Sequence, residues 1–328
     1  NFSDLAYDSF EKNMSLVKVQ AWFFPLMILL IGCSNLIVIY VGGNQYINGK
    51  IEIGVLAEFI IYVNMLTWPV AVVGWITSIV QQAEASQKRI NVFLKEKPEI
   101  DDGPGINKPI NGNIKFKNVS LVYPETNITA LRNISLEIPS GTTLGVIGNI
   151  GSGKTTFLDL ISRLYDPSEG SIEIDRFNLK DYRIEEIRSS LAYVPQNSFL
   201  FSESIEDNIR FGSINANKEE IQKATKHAKV HDNIIGFKEG YKTLLGERGV
   251  TLSGGQIQRV SIARGLIKKP NILLLDDCLS AVDTDTEEEI LKHLKTATKN
   301  KTTIIVSHRI SSVRHADLII ILENGQIV

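Results

Sequence analysis

Several residue groups in this chain could act together on a phosphorylated substrate. The stretch GNIGSGKTT places Gly148, Gly151, Gly153, Lys154 and Thr155 in the spacing GxxxxGK[ST]. Glycines let backbone N–H groups turn inward around a phosphate, and the N-terminus of a following helix adds its dipole. At that spacing Lys154 reaches the β- and γ-phosphates of a nucleoside triphosphate, and the Thr155 hydroxyl ligates Mg²⁺. A second stretch, ILLLDDCLSAVD, runs four aliphatic residues into Asp276 and Asp277. A strand that ends on a carboxylate sets a metal-directed acid beside the phosphates; Asp276 takes that place and leaves Asp277 for another task. In TLSGGQIQRVSIARGLIKKP, Ser253 is a helix N-cap followed by two glycines, so the first turn there is another anion site. TTIIVSH ends a strand on His308, and strand ends in open α/β sheets converge on the ligand. Two phosphate-binding devices about a hundred residues apart exceed what one nucleotide needs. Ser253 and its helix are therefore expected to serve a nucleotide bound to a second copy or a partner.

The surrounding pattern supplies the elements that must position these groups. NIKFKNVSLVY and ISLEI alternate apolar and polar residues as strands do, and TTLGVIG, NILLLDD and TTIIVSH read as further strands. An amphipathic helix follows the glycine loop, and DLIIILENGQIV predicts a hairpin on an Asn-Gly turn. His227, His231, His293 and His315 show no metal-ligand framework, and HAKVH, with its i,i+4 histidines, reads as a solvated helix face. Two cysteines, Cys33 and Cys278, give no disulfide framework.

The 328 residues suffice for about two domains, and a net charge of −2 provides no basic field for nucleic acid. Residues 19–49 and 59–83 carry no charged side chain. The run at 22–43 is about 22 residues long, enough to cross a hydrocarbon core of roughly 30 Å, with Trp22, Phe23 and Phe24 at one end and Tyr40 near the other. A second run at about 55–80 is interrupted only by Glu58, and the short polar connector predicts an antiparallel hairpin. Lys12 and Lys18 precede the first run and Lys88, Arg89, Lys95 and Lys97 follow the second, against Lys50 alone between them. The positive-inside rule puts both ends in the cytoplasm. Residues 81–97 read as helix continuing out of the membrane, and the prolines, glycines and acids of 98–112 as a linker. The expected organisation is a partial transmembrane domain at 1–97, the linker, and a nucleotide-binding domain at 113–328.

These residues together resemble the ATP-binding cassette (ABC) transporter family. Residues 113–328 look like its nucleotide-binding domain, and the apolar hairpin resembles the last two transmembrane helices of the exporter class. The resemblance implies an α-helical transmembrane hairpin followed by an α/β P-loop NTPase fold, with a helical subdomain at about 197–265. GNIGSGKTT is similar to the Walker A loop, which assigns ATP binding to Gly148, Asn149, Ile150, Gly151, Ser152, Gly153, Lys154, Thr155 and Thr156. LSGGQ, residues Leu252, Ser253, Gly254, Gly255 and Gln256, is similar to the signature that acts on a partner's ATP. YVPQNSFLFSESIEDNIRFG resembles the Q-loop region with Gln196 as its glutamine, and Tyr123 stands where an aromatic stacks on adenine. GERG, residues 246–249, resembles the exporter loop that touches the membrane helices. SAVD resembles the D-loop, with Asp283, and VSHRI the switch histidine. What this implies is a pair of cassettes closing head to tail around two ATP molecules. Mg²⁺ would be held by Thr155, Gln196 and Asp276, with Asp277, His308 and Gln196 in catalytic roles. The partners implied are a second half-transporter, as homodimer or heterodimer, and the lipid bilayer. The location implied is the cytoplasmic (inner) membrane, with the cassette in the cytoplasm.

Two departures from the family pattern matter. An exporter half has six spans and further C-terminal helices, so the resemblance implies a fragment here, with the first transmembrane helices missing. The other departure is Asp277, where the family has the glutamate that polarises the attacking water. The leading expectation is an exporter half that hydrolyses ATP to drive outward transport of a lipid, drug or peptide. An alternative is the slow-hydrolysing half of a heterodimer, acting mainly by ATP binding. A soluble ABC ATPase is a third reading, against which the two apolar runs weigh.

Overall fold

The computed structural model describes residues 2–246 and 252–328. Three residues of the GERG motif, 247–249, lie outside the described residues. The chain divides into two compact units, Asn1–Lys97 and Pro98–Val328.

The first unit is a pair of long helices, α1 (Phe2–Ile47) and α2 (Ile53–Lys95). Their 46 and 43 residues correspond to about 69 and 65 Å at 1.5 Å per residue, roughly twice a hydrocarbon core. Both are long and apolar enough to cross a membrane. The apolar runs read from sequence lie inside these helices, which continue because no pair of breakers interrupts the polar flanks. α1 stops on a Schellman turn: Lys50 N–H donates to Gln45 O at 2.9 Å and Gly49 N–H to Tyr46 O at 2.9 Å, with Gly49 at φ +70°. The chain reverses there, so Gly42 faces Leu56 and Gly74 faces Phe23. Polar side chains of α2 turn back on their own helix, Asn64 to Ile60 O at 2.7 Å and Thr67 to Val63 O at 3.1 Å. Such bonds satisfy side chains that have no water to turn to. Tyr62 likewise donates to Glu58.

The second unit contains two sheets. β1 (Ile114–Val122), β2 (Thr129–Ile138), β4 (Glu169–Ile174) and β5 (Phe177–Asn178) form an antiparallel sheet in the order β2-β1-β4-β5. The larger sheet has the order β10-β9-β3-β8-β7-β6. It comprises β3 (Thr143–Gly148), β6 (Leu191–Val194), β7 (Ile272–Asp276), β8 (Thr302–Ser307), β9 (Leu318–Glu323) and β10 (Gln326–Ile327). All its pairs are parallel except the β9–β10 hairpin, which turns on Asn324 and Gly325, both at positive φ. β7 and β8 are buried at every position, the pattern of strands covered on both faces. One core lies between the sheets around α3 (Lys154–Ile161), where Phe116 and Phe157 stack at 4.6 Å. A further small helix, α4 (Ile184–Ser190), leads into β6. The other core joins the large sheet to α5 (Ile205–Arg210), α6 (Lys218–His227), α7 (His231–Ile235), α8 (Gly254–Ile267) and α9 (Thr284–Ala297). The short α10 (Ile310–Val313) follows β8.

Two local readings change. The stretch 98–112, expected as a linker, belongs to the second unit and is tied down over it. Gly105 N–H donates to Asp181 O at 3.0 Å, Ile184 N–H to Asp102 at 2.7 Å, and Asn111 N–H to Asp175 at 2.5 Å, while Ile110 enters the core. The HAKVH histidines, expected on a solvated helix face, sit on different helices. His227 ends α6, half-buried edge-on to His293, and burial lowers its pKa. His231 opens α7, its Nδ1 at 2.7 Å from the Tyr241 hydroxyl. The turn at 228–230 breaks the i,i+4 face that a continuous helix would have made.

Candidate nucleotide site

The parallel register brings the chemistry to one edge. Ile147 pairs with Ser307, Asp276 with Val306 and Leu275 with Val194. The carboxyl ends of β3, β8, β7 and β6 therefore present the glycine loop, His308, the two aspartates and Gln196 side by side, as a switch in strand order does in open α/β sheets.

The loop after β3 ends on Gly153, which caps α3 at φ +96° with ψ +13°. A Cβ there would stand 2.5 Å from Ala130 O, so both the left-handed backbone and the neighbouring strand require glycine. Lys154 is 7% exposed, and its Nζ donates to Gly148 O at 2.8 Å and Asn149 O at 2.7 Å. Burial lowers its pKa, against the pull of Asp276 and Asp277. The ammonium is thus held over the loop on weak carbonyl acceptors that a phosphate oxygen would outcompete. Asp276, 3% exposed, accepts from the Tyr193 hydroxyl at 3.3 Å; burial raises its pKa against the opposing pull of the Tyr193 and Thr155 hydroxyls. Hydroxyl, carboxylate and the nearby Gln196 amide form a set of hard oxygen donors, which fits Mg²⁺ in its usual company of one or two protein carboxylates and substrate phosphates.

Asp277 is buried and lies at φ +41°, in the left-handed region. Its N–H donates to Val306 O at 2.9 Å, and its carboxylate accepts from Gln196 Nε2 and Ser307 Oγ, each at 3.4 Å. His308, immediately after Ser307, is exposed. Tyr123 is half-buried, edge-on to Tyr165 at 5.2 Å, and shares a 2.9 Å hydrogen bond with the Thr156 hydroxyl. Its ring stands beside the first turn of α3, where a base attached to phosphates in the loop could lie.

The Ser253 segment is built differently. Ser253 caps α8 in a capping box: Gln256 N–H donates to Ser253 Oγ at 3.3 Å and Ser253 N–H to Gln256 Oε1 at 2.9 Å. The start of this helix is tied to the 280–282 loop. Gln258 donates to Ser280 Oγ at 3.2 Å and accepts from Ala281 N–H at 3.0 Å. A Cβ on Gly255 would come within 2.8 Å of Ala281 O, which explains the second glycine by close approach. Asp283 caps α9 by accepting from Thr286 N–H at 2.9 Å, and that bond lowers its pKa. The glycine loop, Asp276, Asp277, Gln196 and His308 come together, while Leu252 to Gln256 belong to the neighbouring helical layer.

Residues not anticipated from sequence complete the site. Tyr193 lies between Asp159 and Asp276, and Arg309 reaches Ser280 O at 2.9 Å, Val282 O at 3.2 Å and Glu287 at 3.3 Å. Glu287 is 1% exposed and also accepts from Ser312. Within TDTEEEI it looks like one acid of a solvated helix start. The available signal was its spacing: 287, 290, 291 and 294 share one face, and the other three are Ile, Leu and Leu.

Residues 131–280 match a family model described as ABC transporter. The chain is 40% identical over its full length to "Multidrug resistance-like ATP-binding protein MdlA" of Buchnera aphidicola subsp. Schizaphis graminum (strain Sg), covering 56% of that protein. It is 37% identical to "Probable multidrug resistance ABC transporter ATP-binding/permease protein YheI" of Bacillus subtilis (strain 168), over 99% of this chain and 56% of that protein. A solved structure, that of a bacterial Atm1-family ABC exporter with ATP bound, superposes with a TM-score of 0.84 at 32% identity, over 92% of this chain and 53% of that one. The chain thus spans about half the length of the relatives it matches.

Proposed function

Because the chain belongs to the ABC transporter family, we propose that it is the ATP-binding and ATP-hydrolysing half of a membrane exporter that works as a dimer. The observation that carries this reading is the division of labour between two anion-binding devices. One is the loop 148–156 with its acids at the strand ends. The other is the Ser253 helix, whose Gln258 bonds Ser280 and Ala281. A single nucleotide needs one of them, so the second faces a nucleotide bound by another chain. The α1–α2 hairpin lies in the cytoplasmic membrane with the cassette on the cytoplasmic side, and the cargo exported is an apolar drug, a lipid or a peptide.

The residues act in a definite order. ATP phosphates enter the loop and Lys154 exchanges its carbonyl acceptors for β- and γ-phosphate oxygens. Thr155, Asp276 and Gln196 would hold Mg²⁺, which when bound would neutralise charge on those phosphates. Tyr123 stacks on the adenine. The partner chain's signature closes the γ-phosphate from the far side, with Ser253 giving its cap hydroxyl to the phosphate. Gln196 and Ser307 orient the Asp277 carboxylate toward the attacking water, and His308 contacts the γ-phosphate. Closure favoured by ATP and reopening after hydrolysis make a two-state cycle driven by differential binding. Asp277 favours a second reading of the same site, that this half binds ATP tightly and cleaves it slowly, its partner doing most of the turnover.

Nucleotide titration of the detergent-solubilised protein tests the reading. Lys154→Ala should weaken Mg·ATP binding at least tenfold, by loss of a charge-assisted contact to phosphate. Equal affinity in the two proteins would sink the assignment of the loop. Fast turnover by the protein on its own would exclude the slow-half reading.

A further inference from the structure

The site contains a run of side chains, Asp159–Tyr193–Asp276, in which Asp159 and Tyr193 have no role yet. Thr155 and Asp159 are four residues apart on α3 and so share a face. Tyr193 stands in β6, separated from β3 by β8 and β7, and its register partner on β7 is Leu274, two residues before Asp276. From there its hydroxyl lies 3.3 Å from Asp276 Oδ2 and 3.2 Å from Asp159 Oδ1. A phenol has one proton to donate, so the two carboxylates share it, and both distances are longer than an undivided hydroxyl bond of about 2.7–2.8 Å.

We infer that Tyr193 is a positioning residue that holds the Asp276 carboxylate in its metal-facing orientation, an inference that rests on the nucleotide reading above. Tyr193 stands on the strand next to Asp276 and donates to its Oδ2 at 3.3 Å, which fixes the plane of the carboxylate. A hydroxyl that lends a lone pair to a metal ion keeps its O–H, so Thr155 would not have to leave Asp276 to serve the ion, and the orienting bond from Tyr193 would persist with the metal bound. Outer partners of metal-ligating carboxylates act in this manner, and their loss typically weakens metal affinity or activity by 10–100-fold. Asp159 is the second acceptor, which keeps the half-buried phenol satisfied beside Asp276.

The distinguishing measurement is nucleotide affinity with and without the metal, on the whole protein in detergent, using a fluorescent ATP analogue in Mg²⁺ and in EDTA. Tyr193→Phe should raise the Kd about tenfold in Mg²⁺ and leave it unchanged in EDTA, because only the metal-bound state relies on the phenol. Asp159→Asn should keep the wild-type ratio between the two conditions. Wild-type Mg²⁺ dependence in Tyr193→Phe, with only its melting temperature lowered, would reduce the residue to packing and overturn the inference. Loss of Mg²⁺ dependence in Asp159→Asn equal to that in Tyr193→Phe would overturn the assignment of roles. A wild-type protein that binds no ATP in either condition would overturn the nucleotide reading itself, and this inference with it.

Discussion

Asp277 carries two constraints that pull in opposite directions. Its φ of +41° lies where Asp and Asn are enriched among non-glycine residues and where longer side chains are disfavoured. Its carboxylate, however, ends one methylene short of a glutamate's, which withdraws it by roughly 1.3–1.5 Å from a water that a glutamate would reach. A misplacement of about 1 Å can cost on the order of 10²-fold in rate. Asp277→Glu should therefore raise kcat at least tenfold while lowering stability by about 0.5–1 kcal/mol through the backbone term. Steady-state hydrolysis and a thermal melt on the same sample read both effects. Unchanged turnover would mean that the bonds from Gln196 and Ser307 already bring the short carboxylate to the water. A second residue-scale expectation concerns Asp159, whose carboxyl burial pushes from its ordinary 3.8 up to about 6. Between those values the folded protein holds a proton that the unfolded chain has released. The group's contribution to stability therefore falls as pH rises from about 4 to 6, and the penalty is complete above 6. About two units correspond to roughly 3 kcal/mol, which solvent screening of this half-buried group reduces to about 1–2 kcal/mol. Asp159→Asn should melt higher than the wild type at pH 7.5 and lose that advantage at pH 4.

At the scale of elements, the loop 280–282 and the segment after β8 are fastened by one side chain. Arg309 donates to two carbonyls of the loop and to Glu287 on α9, and Glu287 has almost no solvent of its own. Removing one partner of a buried pair costs about 3–5 kcal/mol, and the half-exposed Arg309 places the loss near or below the lower bound. Arg309→Ala should lower stability by about 2–3 kcal/mol and, by releasing the loop beside Asp277, reduce hydrolysis more than ATP affinity. Melting curves and a kcat-against-Kd comparison separate the two. The strands that carry this site were legible because a fully buried parallel strand is a continuous aliphatic run and its polar end marks the carboxyl edge. ILLLD and TTIIVS announce both features. The Arg309–Glu287 pair was not legible, because an acid inside TDTEEEI is masked by the acids beside it. Nor was the docking of 98–112: prolines and glycines mark a turn-rich segment whether it swings free or is held. Its holders, Asp175, Asp181 and Glu186, lie more than 60 residues away in sequence.

At the scale of the whole molecule, the hairpin and the cassette were separable from charge alone, since residues without charge must avoid water and residues around a phosphate must hold it. What no single chain displays is completion of the site, and a two-fold interface makes that testable. In the proposed symmetric dimer each ATP would lie between the loop of one chain and the Ser253 helix of the other. A chain with Lys154→Ala has a dead loop and a sound signature; a chain with Ser253→Arg has the reverse. Each alone should be inactive. Co-expressed at equal levels, half the dimers pair the two kinds, and each such dimer joins one sound loop to one sound signature. Hydrolysis should then return to about a quarter of the wild-type level. If Ser253 served its own chain's nucleotide, both defects would persist in every dimer and mixing would restore nothing. If the natural partner is a different half-transporter, the wild-type homodimer would itself be slow, and activity would appear when that partner brings its own acid opposite Ser253.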